Sequence, residues 1–191
     1  MTTLTLQIPP QLTKRRFVQL CRANPELRLE RSARGELILM SPTGSETGVR
    51  NTHLTGQLWW WNEQTGSGKV FDSSTGFHLP NGADRSPDAA WVSRERWAAL
   101  SRLQRRGFAP LCPDFVVELR SPSDDLAPLQ AKMEEYLANG ARLGWLIDTK
   151  ARRVAVYRLG QEPEIREAPE CLTGEEVLPG FVLRLGPIWG D

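Results

Sequence analysis

Two acidic residues of this chain stand where a carboxylate is costly. Asp88 lies in Ser86-Pro87-Asp88-Ala89-Ala90-Trp91-Val92, and Glu118 lies thirty residues later in Pro113-Asp114-Phe115-Val116-Val117-Glu118-Leu119-Arg120. Both stretches are apolar and strand-like, so each acid sits in or beside a strand expected to be buried. An ionised carboxylate in a low-dielectric sheet has to be paired, protonated or bound to a metal. Side chains alternate along a strand, which puts Asp114, Val116, Glu118 and Arg120 on one face and Phe115, Val117 and Leu119 on the other. If the strand after Asp88 pairs beside this one, the two carboxylates can share a hard cation such as Mg²⁺ or Mn²⁺, and the carbonyl of Leu119 can add a ligand. Lys132, on the edge of the apolar face of the following helix, would then orient the nucleophile or stabilise the extra charge of the transition state. Two acids and one ammonium converging on a sheet are a common arrangement for metal-dependent phosphodiester hydrolysis. The competing reading of Glu118 is a buried ion pair with Arg120 or Lys132.

Several elements must position these groups. A short helix is expected from about Pro10 to Ala23, with Phe17, Val18 and Leu20 as its apolar positions. Leu27 to Arg31 and Glu36 to Met40 alternate as a hairpin around Ser32-Ala33-Arg34-Gly35. A long helix should run from near Ser45 to about Gln64, ended by Thr65-Gly66-Ser67-Gly68. On its wheel Glu46, His53 and Gln57 form one stripe. Either that stripe faces the polar site, making Glu46 a further metal ligand and His53 and Gln57 secondary groups, or it is an exposed face with Glu46 at the positive end of the helix dipole.

Lys69 to Ser73, Gly76 to Leu79 and the strand holding Asp88 read as an antiparallel meander. Ser93 to Pro113 is helical and then irregular, anchored by Trp97 and Leu100. Phe115 to Leu119 reads as a central strand, and Ser121-Pro122-Ser123-Asp124 as a turn with a helix cap. The next helix, from about Asp124 to Asn139, carries Leu126, Leu129, Met133, Tyr136 and Leu137 in one stripe, with Lys132 beside Leu129 and Tyr136. Leu143 to Ile147 and Val154 to Tyr157 form a hairpin, and Val177 to Leu185 adds edge elements. This order predicts an α/β (α+β) protein, a mixed β-sheet flanked by helices, in one domain over 1–191. Within it, 1–43 is an N-terminal helix and hairpin, 44–160 the core and 161–191 the C-terminal edge.

Lysine and arginine number 24 against 23 acids, a net charge of +1. That excludes a global attraction to polyanions, so any nucleic-acid binding has to be local. The arginines at 94, 96, 102, 105 and 106 read mainly as a solvated surface, with phosphate contact as the alternative. No apolar stretch approaches the roughly 20 residues that cross a bilayer, and Met1 to Pro10 lacks a leader-like pattern, so a cytoplasmic protein without membrane contact is expected. Cys21, Cys112 and Cys171 are odd in number and lack CxxC spacing; reduced, partly buried thiols are expected. Trp59, Trp60 and Trp61 read as packing residues in preference to base-stacking ones.

A proline-aspartate at a strand end, an acid about thirty positions later in an apolar strand and a basic residue beyond it resemble the PD-(D/E)XK nuclease superfamily. Ser86 to Val92, Val117 to Ser123, and Lys132 through Tyr136 and Gly140 to Trp145-Leu146-Ile147-Asp148 are similar to one branch, the Uma-type family of restriction-endonuclease-like proteins. The similarity extends over nearly the whole chain, including Ser41-Pro42-Thr43-Gly44-Ser45-Glu46 and Ser74-Thr75-Gly76-Phe77. It implies a restriction-endonuclease-like fold, Asp88 and Glu118 as metal-binding acids, and Mg²⁺-dependent hydrolysis of DNA. A homodimer or higher oligomer is expected where both strands are cut.

One position departs from the superfamily. Its lysine stands two residues after the acid, where this chain has Arg120, a cation that hardly deprotonates and does not replace lysine. The resemblance points to a lysine moved onto the next helix, Lys132, one of only four lysines against twenty arginines. The alternatives are a non-catalytic nuclease-fold protein that binds nucleic acid or a protein partner, and an enzyme acting on another phosphate ester.

Overall fold

The strand that carries Glu118 lies inside a six-stranded sheet, as its nearly all-apolar run leads one to expect. A computed structural model describes residues 3–8, 11–122 and 124–190. Pro10 and Ser123, expected at a helix start and in a turn, lie outside the described residues. In chain order the elements are β1 (Thr3–Leu6), α1 (Lys14–Ala23), β2 (Arg28–Arg31), β3 (Leu37–Met40), α2 (Ser45–Thr65), β4 (Gly68–Asp72), β5 (Phe77–His78) and β6 (Asp84–Arg85). They continue with β7 (Ala89–Ser93), α3 (Arg94–Ala99), a 3-10 turn (Gln104–Arg106), β8 (Phe115–Arg120), α4 (Leu126–Ala138), β9 (Leu143–Asp148) and β10 (Arg153–Arg158). The C-terminal part adds β11 (Glu164–Glu167), β12 (Cys171–Thr173), β13 (Val182–Arg184) and α5 (Gly186–Trp189).

The main sheet has the order β11-β10-β9-β8-β7-β4, and within it only β8 and β9 run parallel. A parallel pair needs a crossover, which α4 supplies. Gly140 closes that helix at φ +105°, a conformation that costs glycine little. Alternation along β8 sorts the core into two layers. Phe115, Val117 and Leu119 join Trp91, Trp145 and Ile147 against Leu54 and Leu58 of α2 and the C-terminal Phe181 and Ile188. Val116 joins Ala90 and Leu146 on the opposite layer, against Met133 and Tyr136 of α4. Glu118, in phase with Val116, therefore faces α4. Each large side chain buried in these layers contributes on the order of 1.5–3 kcal/mol.

A second, antiparallel sheet has the order β1-β3-β2-β6-β5. Phe17 of α1 packs there with Leu12, Leu29 and Leu37. This arrangement corrects the expected meander. β4 pairs directly with β7, from Gly68↔Ser93 to Asp72↔Ala89, while β5 and β6 join the second sheet. The buried Asp84 explains the diversion: its carboxylate takes Arg31 Nε at 2.7 Å and His78 Nδ1 at 3.0 Å, partners that the second sheet supplies. β1 is an addition to the expected elements, although Thr3-Leu4-Thr5-Leu6 alternates as an edge strand should.

The tryptophans divide. Trp61 packs on Trp91 and Phe181, with ring centroids 5.9 and 5.5 Å away. Trp59 and Trp60 are 50% and 62% exposed, because successive helical residues point about 100° apart and only one of three can face the core. All three cysteines are free; Cys112 is buried and Cys21 half-buried, but Cys171 is exposed, contrary to expectation. Among the described residues no helix is long and apolar enough to cross a membrane.

Gly68 marks a tight contact between β4 and β7. A Cβ there would meet the Val92 carbonyl oxygen at 2.3 Å and the Trp91 ring at 2.5 Å. Gly68→Ala should destabilise the fold by about 3 kcal/mol, lowering the melting temperature by roughly 6–12 °C. A thermal melt unchanged within about 2 °C would contradict this packing.

Candidate active site

Pairing of β7 with β8 runs Ala89↔Val117, Ala90↔Val116 and Trp91↔Phe115. Continued by one residue, that register brings Asp88 opposite Glu118 on the face toward α4, and opposed residues of an antiparallel pair are near neighbours. Both acids are only 4% exposed. Asp88 Oδ2 accepts a hydrogen bond from the Leu119 amide at 2.8 Å. Glu118 Oε1 accepts from Lys132 Nζ at 2.8 Å and from the Tyr136 hydroxyl at 3.0 Å. Lys132 and Tyr136 are one helical turn apart on α4, so one face of the helix delivers both donors.

Lys132 has a second carboxylate. Its Nζ lies 2.9 Å from Glu30 Oε1, on β2 of the other sheet. Glu30 Oε1 also accepts from the Ser86 amide at 2.8 Å, and Oε2 lies 3.1 Å from Arg85 Nη1. Arg85 in turn holds Glu135 through Nε. Glu30, Arg85, Asp88, Glu118, Lys132 and Glu135 line a cleft of about 720 Å³ bounded by the β2–β3 hairpin and α4, which also includes Leu119.

Electrostatics separates the groups by role. Burial pushes the Glu118 carboxyl up to about 7, with the nearby Asp88 and Glu30 adding to the effect and Lys132 opposing it. Burial likewise raises Asp88, against the pull of the Leu119 amide. Burial also works against ionising Glu30, yet Lys132 and Arg85 outweigh it and hold Glu30 below the ordinary carboxylate range. For Lys132, burial disfavours the charge, but Glu118 and Glu30 overcome it and keep the ammonium. Burial drives the Tyr136 phenol well up, leaving a neutral hydroxyl donor.

The donor set suits a small divalent cation. Asp88 uses Oδ2 and Glu118 uses Oε1 for protein contacts, so each carboxylate keeps one oxygen outside these bonds. The acids lining the cleft, which also include Glu36, Asp124 and Asp125, outnumber its cations Arg34, Arg85 and Lys132, an excess of negative charge that a divalent ion offsets. Among the described residues no group of three or more His, Cys, Asp or Glu side chains is arranged to hold a metal. Two carboxylates are nevertheless what Mg²⁺ commonly uses, with waters and phosphate oxygens completing its shell.

Residues 15–186 match the Uma2 family, described as "Putative restriction endonuclease". The chain belongs to the Uma2 family. A solved structure described as a "putative nuclease belonging to DUF820" from Anabaena variabilis superposes with a TM-score of 0.73 at 18% identity, over 86% of this chain and 91% of that one. At that identity the likeness establishes the fold, a restriction-endonuclease-like mixed sheet flanked by helices. No curated protein matches the chain.

In this Uma2 protein the polar stripe of α2 does not reach the cleft. α2 packs on the sheet face opposite α4. Glu46 has an 83% exposed side chain and lies 3.7 Å from Arg50. His53 is exposed. Gln57 ties down β13, donating to the Arg184 carbonyl at 3.1 Å and accepting from its amide at 2.9 Å. Glu46 and His53 lie on an exposed face, whereas Gln57 is half-buried against β13. Arg120 is also turned away: Nη1 lies 2.6 Å from Asp148 Oδ2, and Nε donates to the Asp124 carbonyl at 3.0 Å. Glu30, Arg85 and Tyr136 also belong to the site, beyond the residues that the sequence pattern marks. Tyr136 was legible as the residue four positions beyond Lys132, whereas nothing near Glu30 in sequence announces its partners.

The raised Glu118 carboxyl gives this fold a pH signature. Between the ordinary value of 4.5 and about 7 the folded protein binds this proton and the unfolded chain releases it. Metal-free stability from this group is therefore full below about 4.5 and falls as pH rises through 7, by on the order of 3 kcal/mol. Denaturant titrations from pH 4.5 to 8 should show wild type losing stability relative to Glu118→Gln by that amount. Parallel pH profiles for the two proteins would contradict it.

Proposed function

We propose that this Uma2 protein is a divalent-metal-dependent endonuclease that hydrolyses DNA phosphodiester bonds. The observation that carries the reading is Asp88 opposed to Glu118, each with an oxygen to spare, beside an ammonium 2.8 Å from Glu118. The family's description supports it. Asp88 and Glu118 would hold Mg²⁺ or Mn²⁺, with the Leu119 carbonyl as a further candidate ligand. A cation there supplies Lewis-acid neutralisation of phosphate charge and activates water. Lys132, kept charged by two carboxylates, would donate hydrogen bonds to the non-bridging oxygens as negative charge builds on them. Tyr136 donates to Glu118 Oε1, which leaves the other oxygen of this cleft-lining carboxylate outside that bond. Cutting both strands takes two such sites, which a homodimer acting in the cytoplasm would provide.

Lys132 clasped between two acids also favours a second reading, a non-catalytic nuclease-fold binding protein in which the cluster is a buried ion-pair network. Incubation of supercoiled plasmid with Mg²⁺ or Mn²⁺ separates the two. Nicking that chelator stops, and that folded Asp88→Ala loses by about 10²–10³-fold, is the expected result. Equal activity in Asp88→Ala, or no cleavage by wild type, would overturn the nuclease reading.

A further inference from the structure

Glu30 is buried in the cleft yet has no part in the chemistry just described. It is 2% exposed and comes from the second sheet, not from the sheet that bears the two acids. One oxygen, Oε1, receives both Lys132 Nζ at 2.9 Å and the Ser86 amide at 2.8 Å. Ser86 stands two residues before Asp88. A single carboxylate thus grips the ammonium and the main chain that leads into a metal-binding acid. Arg85 braces its other oxygen and is itself held by Glu135 of α4.

Resting on the nuclease reading, we propose that Glu30 is a positioning residue: it fixes the Lys132 ammonium at Glu118 and the Ser86–Asp88 segment beside it, doing from a second sheet what strand register does for a lysine two residues after the acid. In this chain that strand position belongs to Arg120, engaged with Asp148. A strand lysine has its stem set by the register of its own strand. Lys132 instead projects from α4 on a flexible four-carbon stem. Anchored by Glu118 alone, it would have freedom to swing, and it would spend its whole charge on the acid that has to bind metal. Sharing the ammonium with Glu30 removes both difficulties. The stem is held at two points, and Glu118 retains negative charge for a cation.

Glu30→Gln tests this, because glutamine keeps the shape and an acceptor oxygen for the Ser86 amide while losing the charge. Calorimetric titration with Mn²⁺ should show affinity about tenfold weaker than wild type, and plasmid cleavage should show turnover lowered about 10–100-fold at unchanged KM. Formate, a free carboxylate, should restore part of the turnover of Glu30→Ala and none of that of Lys132→Ala. Metal titration needs no substrate. If wild type binds Mn²⁺ but cuts no DNA, the nuclease reading fails while the weaker affinity of Glu30→Gln still upholds the positioning role. Wild-type affinity and turnover in Glu30→Gln, with only a lower melting temperature, would overturn the inference, as would a wild type that binds no metal.

Discussion

Glu118→Gln is expected to abolish metal-dependent cleavage, by at least about 10³-fold, while leaving the metal-free protein at pH 8 more stable than wild type. The two effects have one cause. Glu118 is held at 4% exposure in a sheet whose burial pushes its carboxyl up to about 7. At pH 8 the wild-type protein carries the charge at a cost on the order of 3 kcal/mol. Glutamine removes that cost, and its carbonyl oxygen still accepts from Lys132 and Tyr136. It also removes the negative charge that draws a cation. A residue present for stability would show the reverse, a weaker fold on substitution. Cleavage per folded molecule and chemical denaturation at pH 8, measured on one preparation, check both halves. Retained cleavage, or a protein less stable than wild type, would contradict this role for Glu118.

Lys132→Ala is expected to damage both fold and chemistry. Removing one partner of a buried ion pair leaves an uncompensated charge, typically at a cost of about 3–5 kcal/mol. Here Nζ serves Glu118 at 2.8 Å and Glu30 at 2.9 Å. Glu30 retains Arg85 and the Ser86 amide, so the loss falls chiefly on Glu118, left with the Tyr136 hydroxyl. Cleavage by the fraction that remains folded should fall about 10²-fold or more, as loss of a preorganised donor does. Lys132→Arg should not restore it, because a planar guanidinium cannot occupy the point between two carboxylates that an ammonium fills. Urea denaturation together with cleavage at a temperature where the variant stays folded measures the two losses. Wild-type stability or wild-type turnover in Lys132→Ala would show that Lys132 is a surface lysine with a buried stem.

Much of this arrangement could be read before any coordinates, for reasons particular to each element. Phe115-Val116-Val117-Glu118-Leu119 is too apolar for anything but an inner strand, and the period of two set Glu118 and Val116 on one face. The stripe of α4 placed Lys132 beside Tyr136, and both meet Glu118. Other features depend on contacts that no local pattern encodes. Glu30 reaches Ser86 across 56 residues, and the alternation of β2 says only that Glu30 and Arg28 share a face. β5 and β6 have two residues each, too short for periodicity to show, and their sheet was chosen by the buried Asp84. The wheel of α2 grouped Glu46, His53 and Gln57 correctly but could not say which way the group points, since tryptophans flank it on more than one side. Arg120 shares the face of Glu118, yet its length and the register Arg120↔Asp148 carry its guanidinium to the neighbouring strand.

The central claim is that Asp88 and Glu118 form a divalent-cation site on opposed positions of β7 and β8. Isothermal titration of the metal-free protein with Mn²⁺ at pH 8, for wild type and for Glu118→Ala, tests it before any substrate is known. One site per chain in wild type, with binding lost in a folded Glu118→Ala, is the predicted result. Equal binding by both proteins, or none by wild type, would contradict it.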